Sequence, residues 1–292
     1  MKTITFFSEK GGVGKSTFSI MFASWLHHKM GVKVALADFN SRILFYREAE
    51  KNHRNVFLKK NPDSPLQPYD DRTTWPIIDC KAAEIAEIKR NGSRFPYATW
   101  FAEEIAEGGR LSGYDIVLCD FPGSLTGGEF MQLSGMNYLS LIVTPTEKDE
   151  MTLHSTIRLH NTIKDKNHCV FINKAQLGLK NFRGSYIKLG ELLTKKGLPV
   201  LPDLVSYSER IMTIDKVDII RSTFGFPDFS LPEFGLSKDL GIINLFVDVS
   251  RELAKCPDLK GTGEADMSFV EELAKQPDGR QLKNSAFPQY EI

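Results

Sequence analysis

Lys10-Gly11-Gly12-Val13-Gly14-Lys15-Ser16-Thr17 follows the β-branched and aromatic run Thr3-Ile4-Thr5-Phe6-Phe7 and opens an apolar-periodic stretch from Phe18 to Leu26. Strand, glycine-rich turn and helix in that order are what a phosphate cradle requires. The glycines let successive backbone N–H groups turn inward with no Cβ in the way. The helix start adds unpaired donors and partial positive charge for an anion. Gly11, Gly12, Val13, Gly14, Lys15, Ser16 and Thr17 are thus expected to surround a nucleoside triphosphate. Lys15 would reach its β- and γ-phosphates, and the Ser16 hydroxyl would ligate Mg²⁺.

Beyond the loop, apolar runs alternate with helical patterns. Val32 to Ala37, Tyr114 to Cys119, Tyr138 to Val143, His168 to Ile172 and Leu198 to Val205 read as strands buried on both faces. Met151 to Ile163, Ser185 to Lys196 and, more weakly, Ile211 to Ile219 have helical spacing. This alternation predicts an α/β fold, a doubly wound, mostly parallel sheet with helices on both faces. Such sheets bind ligands at the carboxyl ends of their strands, where the loop sits. Residues 47–100 form an elaborated connection rich in loop punctuation, with a short strand at Trp75-Pro76-Ile77-Ile78 and helices at Cys80 to Arg90 and Tyr97 to Glu107. We therefore expect one domain over residues 1–255. A polar, partly ordered tail follows at 256–292, with one helix at Ala265 to Lys275.

Composition narrows the classes further. Of 292 residues 41% are apolar and 25% charged, with a net charge of zero, so any basic surface for nucleic acid must be local. No apolar signal segment or membrane-length run is evident, which points to a cytoplasmic protein without a membrane partner. Cys80, Cys119, Cys169 and Cys256 are widely spaced, which suggests neither a disulfide framework nor a zinc site, and Cys119 and Cys169 in apolar strand-like runs read as buried small hydrophobes. The six histidines show no ligand spacing on one face, and His154 and His160 fall on different sides of a helix.

One detail of the loop is unusual. The general pattern places a glycine where this chain has Glu9, and a second lysine, Lys10, begins the loop. The arrangement resembles the deviant P-loop ATPases of the ParA/MinD family, whose loop reads KGGVGK[ST]. There the first lysine reaches across a dimer interface to the partner's nucleotide. The resemblance implies that Lys10 acts in trans within a homodimer sandwiching ATP, with Lys15 acting in cis. Two facing triphosphates carry dense negative charge, so a cation from each partner makes dimerisation conditional on the γ-phosphate.

The strand ends extend the resemblance to about residue 250. Asp38 matches the first aspartate of the family's D-x-D-P-Q switch and is implied as a catalytic and metal-site residue. Asn40 replaces the second aspartate, and Ser41-Arg42 replaces Pro-Gln. An amide orients water but neither accepts its proton nor carries charge toward Mg²⁺, so hydrolysis is expected to be slow or partner-stimulated. Asp120 of Cys119-Asp120-Phe121-Pro122-Gly123 matches the second switch and would hold a magnesium-bound water. Asn173, ending the run Val170-Phe171-Ile172, stands where the family contacts adenine. Asn173-Lys174-Ala175-Gln176 lacks the aspartate of a guanine-binding motif, which favours ATP. Thr144-Pro145-Thr146-Glu147 resembles the family's turn before a long helix.

These residues imply an ATP- and Mg²⁺-dependent ATPase of ParA type acting in DNA partitioning or positioning, or in transfer of a mobile element such as a conjugative transposon. Expected partners are a second copy, non-specific DNA and a ParB-like stimulating protein. Residues 180–221 carry eight basic against five acidic side chains, which suits phosphate-backbone contacts and solvated helix faces alike. Two alternatives stay open: a dethiobiotin synthetase-like ligase whose substrate pocket the 47–100 connection supplies, and a hydrolysis-deficient nucleotide-binding scaffold.

Overall fold

The computed structural model describes residues 1–40, 75–80, 97–123, 138–163, 166–175, 182–206 and 240–275, with Phe130 and scattered positions between 48 and 62. Seven strands form one sheet: β1 (Lys2–Phe6), β2 (Val34–Asp38), β3 (Ile77–Asp79), β4 (Ile116–Asp120), β5 (Leu141–Thr146), β6 (His168–Ala175) and β7 (Val200–Ser206). Their order is β3-β2-β4-β1-β5-β6-β7, and every pairing is parallel. The chain leaves central β1 toward one edge and later crosses to the other, which opens the crevice where such sheets take ligands.

Helices α1 (Lys15–Met30), α2 (Tyr97–Ile105), α3 (Glu150–Thr162), α4 (Phe182–Lys195), α5 (Leu240–Lys255) and α6 (Ser268–Lys275) cover both faces. Alternation along the strands divides the core. Ile4, Phe6, Leu36 and Leu118 pack with Phe22 of α1, Phe246 of α5 and Phe269 of α6. Ala35, Ala37, Val117 and Cys119 face the other way, toward Phe101 of α2 and Leu159 of α3. Val170 and Ile172 of β6 pack with Leu189 and Leu193 of α4. Burial on both faces is why these strands read as continuous apolar runs.

The doubly wound α/β fold expected from the sequence is present, with shifted boundaries. The turn expected at Thr144-Pro145-Thr146 lies inside β5, where Pro145 is in register with Phe171. The true turn spans residues 147–149, and the side chain of Asp149 caps α3 by accepting from the Thr152 N–H at 3.0 Å. That cap fixes the helix start. Helix α5 was absent from the sequence reading. The expected helix at 211–219, nearly all of that at 80–90 and most of the 47–74 stretch lie outside the described residues. All four cysteines are buried free thiols.

After α5 the chain returns to the amino end of β1. The Met1 amine donates to Asp258 Oδ1 at 3.2 Å and to the Gly263 carbonyl, while the Leu259 N–H donates to the Met1 carbonyl at 3.0 Å. Phe269 and Leu273 of α6 are buried against α1 and α5. Among the described residues no helix is long and apolar enough to cross a membrane.

Candidate nucleotide site

The glycine loop leaves β1 at the carboxyl edge of the sheet and runs into α1. Gly12 and Gly14 have φ of +77° and +95°, a region L side chains disfavour. Gly14 also caps α1, with no side-chain hydrogen bond at that end. A Cβ there would lie 3.1 Å from the Phe18 ring. Gly11 and Gly12 are exposed, Val13 is buried, and Thr17 is half-buried in the first turn of α1. Lys15, 8% exposed, donates from Nζ to the Lys10 carbonyl at 2.8 Å. Its Nζ lies so near Gly123 that a Cβ there would fall 3.1 Å away.

At the foot of the loop, β2 and β4 bring two carboxylates level, Asp38 in register with Asp120. Both are fully buried. Ser16 Oγ donates to Asp120 Oδ2 at 2.8 Å, and Asn40 Nδ2 donates to the same oxygen at 3.2 Å. The Asn40 backbone N–H donates to Asp38 Oδ1 at 2.9 Å. Burial pushes the Asp120 carboxyl up to about 6, despite the hydrogen bonds from Ser16 and Asn40 and the charge of Lys15; Asp38 adds to the rise. Asp120 Oδ1 is buried with no hydrogen-bond partner.

Such an orphaned oxygen calls for an explanation, and the donor set fits magnesium. A serine hydroxyl beside carboxylate oxygens is hard-ligand chemistry. Among the described residues no three His, Cys, Asp or Glu side chains gather as a metal-ligand set. A magnesium ion held by these residues would draw its remaining oxygens from phosphate and water, as this ion ordinarily does.

The opposite flank of the loop is built from β5, β6 and α3. Lys10 Nζ forms an ion pair with Asp149 Oδ2 at 2.8 Å, both side chains being more than a third exposed. A modest desolvation cost at Asp149 is outweighed by hydrogen bonds from Lys10 and Thr152, which hold its carboxyl down at about 2. Glu9 pairs with Arg158 of α3. Asn173 Nδ2 donates to the Val13 carbonyl at 2.9 Å, and Asn173 is 6% exposed. That commits one amide hydrogen to the loop and leaves Oδ1 as an acceptor. Lys174 Nζ donates to the Gly12 carbonyl at 2.9 Å and pairs with Glu147 Oε1 at 2.7 Å.

The structure therefore gathers Lys10, the loop residues, Asp38, Asp120 and Asn173 at one end of the sheet. Sequence reasoning missed Asp149, Glu147, Lys174 and Arg158. An aspartate just before Glu150-Met151-Thr152 carries a helix-cap signal, but nothing local ties it to Lys10. It also missed a histidine pair. His168 Nδ1 lies 3.0 Å from His160 Nδ1, and His168 Nε2 lies 2.9 Å from Thr144 Oγ1, joining a strand to a helix. Ser41 and Arg42, and much of the basic 180–221 segment, lie outside the described residues; Lys188, Lys195 and Lys196 are exposed along or just after α4.

A family model described as the CobQ/CobB/MinD/ParA nucleotide binding domain matches residues 4–219. No curated protein matches the chain. Solved structures similar in fold include the MinC:MinD cell division protein complex of Aquifex aeolicus, at 18% identity and a TM-score of 0.51, covering 90% of this chain and 100% of that one. A plasmid partition protein of Borrelia burgdorferi B31 bound to AMPPNP gives 18% and 0.53 over 85% and 99%. The pNOB8 ParA bound to nonspecific DNA gives 16% and 0.54 over 87% and 98%.

Proposed function

The chain belongs to the CobQ/CobB/MinD/ParA nucleotide-binding domain family, and from that premise we propose that it is an ATP-dependent dimer switch acting in DNA partitioning or positioning, or in mobile-element transfer. The observation that carries the reading is the division of labour between the two loop lysines. Lys15 is buried within its own loop, whereas Lys10 is about a third exposed and pairs with Asp149 before α3. A part-exposed cation beside a phosphate cradle supports a role toward a facing subunit's nucleotide.

In this reading the amides of Gly11 to Ser16 and Nζ of Lys15 bind the triphosphate, and Thr17 completes the cradle. Ser16, Asp38 and Asp120 hold magnesium, directly or through its waters. Magnesium would neutralise phosphate charge and orient the terminal phosphoryl group. Asn173 Oδ1 accepts from the adenine amine, a pairing guanine does not offer at that position. Asn40 donates one amide hydrogen to Asp120, and as an amide it neither accepts a proton from water nor carries charge toward Mg²⁺. That favours slow hydrolysis which a partner must accelerate, and it lends weight to the scaffold alternative. The AMPPNP in the Borrelia structure and the nonspecific DNA on pNOB8 ParA support, by analogy, ATP as ligand and DNA as partner.

Light scattering with ADP or with ATP and Mg²⁺ tests this directly. We expect doubling of the apparent mass with ATP only, lost in Lys10→Ala, and co-sedimentation of the dimer with long non-specific DNA at low salt. A mass indifferent to ATP sinks the switch and favours the ligase or an inert binder. A dimer that ignores DNA removes the segregation role alone.

A further inference from the structure

Resting on the nucleotide-cradle reading, we infer that Lys174 is a positioning residue that aims the loop's backbone donors. In a planar trans peptide the carbonyl and the N–H of one unit point in opposite directions. Whatever holds the Gly12 carbonyl therefore sets where the Val13 N–H points. Lys174 Nζ holds that carbonyl at 2.9 Å. One unit further, Asn173 Nδ2 holds the Val13 carbonyl at 2.9 Å and so sets the Gly14 N–H. Two adjacent residues at the end of β6 thus fix two adjacent peptide planes of the loop, both turned with their carbonyls toward the sheet edge and their N–H groups away from it.

Three features mark Lys174 as built for this. Its φ of +54° makes it the one non-glycine residue with positive φ among the described residues. Such backbone settings persist where the surrounding structure holds them and gather at functional sites. Its ammonium is anchored by Glu147 Oε1 at 2.7 Å, in a side chain 18% exposed. And its contact bridges 162 positions in sequence, so it serves no local turn. With three donors the ammonium satisfies both the carbonyl and the carboxylate, which a shorter or neutral side chain would not. Gly12, itself at φ +77°, has no side chain to hold its peptide planes.

Calorimetry with MgADP and MgATP on the full chain, Lys174→Met and Lys174→Arg tests the assignment, together with amide hydrogen exchange of the nucleotide-free proteins. Because the loop amides cradle the α- and β-phosphates, Lys174→Met should weaken both nucleotides by the same factor of about ten. Lys174→Arg should recover most of it. Exchange in Lys174→Met should accelerate at residues 12–14 and stay unchanged in α3. Glu147→Gln, which leaves the ammonium in place but unanchored, should show the same local acceleration with about a threefold loss. Unaltered MgADP affinity in Lys174→Met, arginine no better than methionine, or unchanged loop exchange in both variants overturns the inference. If the unmodified protein binds neither nucleotide, the cradle reading itself has failed, and that result is distinct from all of these.

Discussion

The two flanks of the glycine loop are held by opposite kinds of chemistry. On the β2–β4 side, the half-buried Ser16 and Asn40 hydrogen-bond to the fully buried Asp38 and Asp120, and one carboxylate oxygen is left over. On the β5–β6 side, Lys10–Asp149 and Glu9–Arg158 are ion pairs with at least one well-exposed partner. Buried hydrogen-bonded groups are costly to disturb, whereas exposed ion pairs contribute little and exchange readily with water. In the proposed reading the first flank would seat magnesium. The second is loose at its surface, where these ion pairs can release, and firmer beneath, where Asn173 and Lys174 hold the loop carbonyls.

The largest effect should come from the fixed side. Asp120→Asn keeps the volume and removes a carboxylate whose burial already pushes it up to about 6. At pH 7 the nucleotide-free protein should gain roughly 1–2 kcal/mol of stability, since a desolvated charge is gone. MgATP affinity should fall on the order of 100-fold, and the gain from adding Mg²⁺ to ATP should vanish. Denaturant melts paired with calorimetry, with and without magnesium, read both. A variant less stable than the parent, or one that keeps its magnesium dependence, would dissolve the contrast between seat and latch.

The same contrast explains what the sequence could tell. The fixed side was legible because its residues are tied to local pattern: the loop between a strand and a helix, and carboxylates at the ends of apolar runs that must lie in one parallel sheet. Asn40 was legible as a departure, but its hydrogen bond to Asp120 depends on register between β2 and β4. The latch side was mostly hidden. The Asn173 and Lys174 contacts to the loop span 160 and 162 positions and leave no periodic trace. Thr144-Pro145-Thr146 reads as a turn on the family resemblance, yet β5 keeps Pro145 in register even though proline donates nothing to a sheet ladder. Helix α5 went unread because Ile242-Ile243-Asn244-Leu245-Phe246-Val247 reads equally as strand from its β-branched composition. Only the buried spacing of Ile242, Leu245, Phe246, Val249 and Leu253 reveals the helix.

A second test asks whether the latch side, loose at its surface, is firm beneath. His168 joins β6 to α3 through His160 and to β5 through Thr144, at the end of β6 far from the loop. Burial, with help from His160, pushes the His168 imidazole down to about 3. Below pH 6.5 the unfolded chain takes up a proton that the folded chain refuses. Its contribution is therefore complete above 6.5 and drains away as the pH falls toward 3, by up to about 1.4 kcal/mol per pH unit. Urea melts at pH 7, 6 and 5 should show this decline in the parent and a flatter profile in His168→Gln, with MgATP affinity at pH 7 equal in both. Parallel profiles would place the histidine outside the acid response.

The smallest effect is the most telling about release. Asp149 does two jobs at once, capping α3 and holding Lys10. Asp149→Ser separates them, since serine caps a helix about as well as aspartate while carrying no charge. The nucleotide-free melting temperature should then hardly move. If Lys10 must leave Asp149 before it can serve a facing subunit, the lost pair is a lost restraint, and ATP-dependent dimerisation should begin at a lower protein concentration. An exposed pair contributes about 0.2–1 kcal/mol and each protomer breaks one, so the midpoint should fall by no more than about thirtyfold. The difference should shrink in high salt, where the pair in the parent is already screened. A midpoint that rises instead means Asp149 is itself part of the dimer contact, and the outward lysine is being presented by its partner rather than restrained by it.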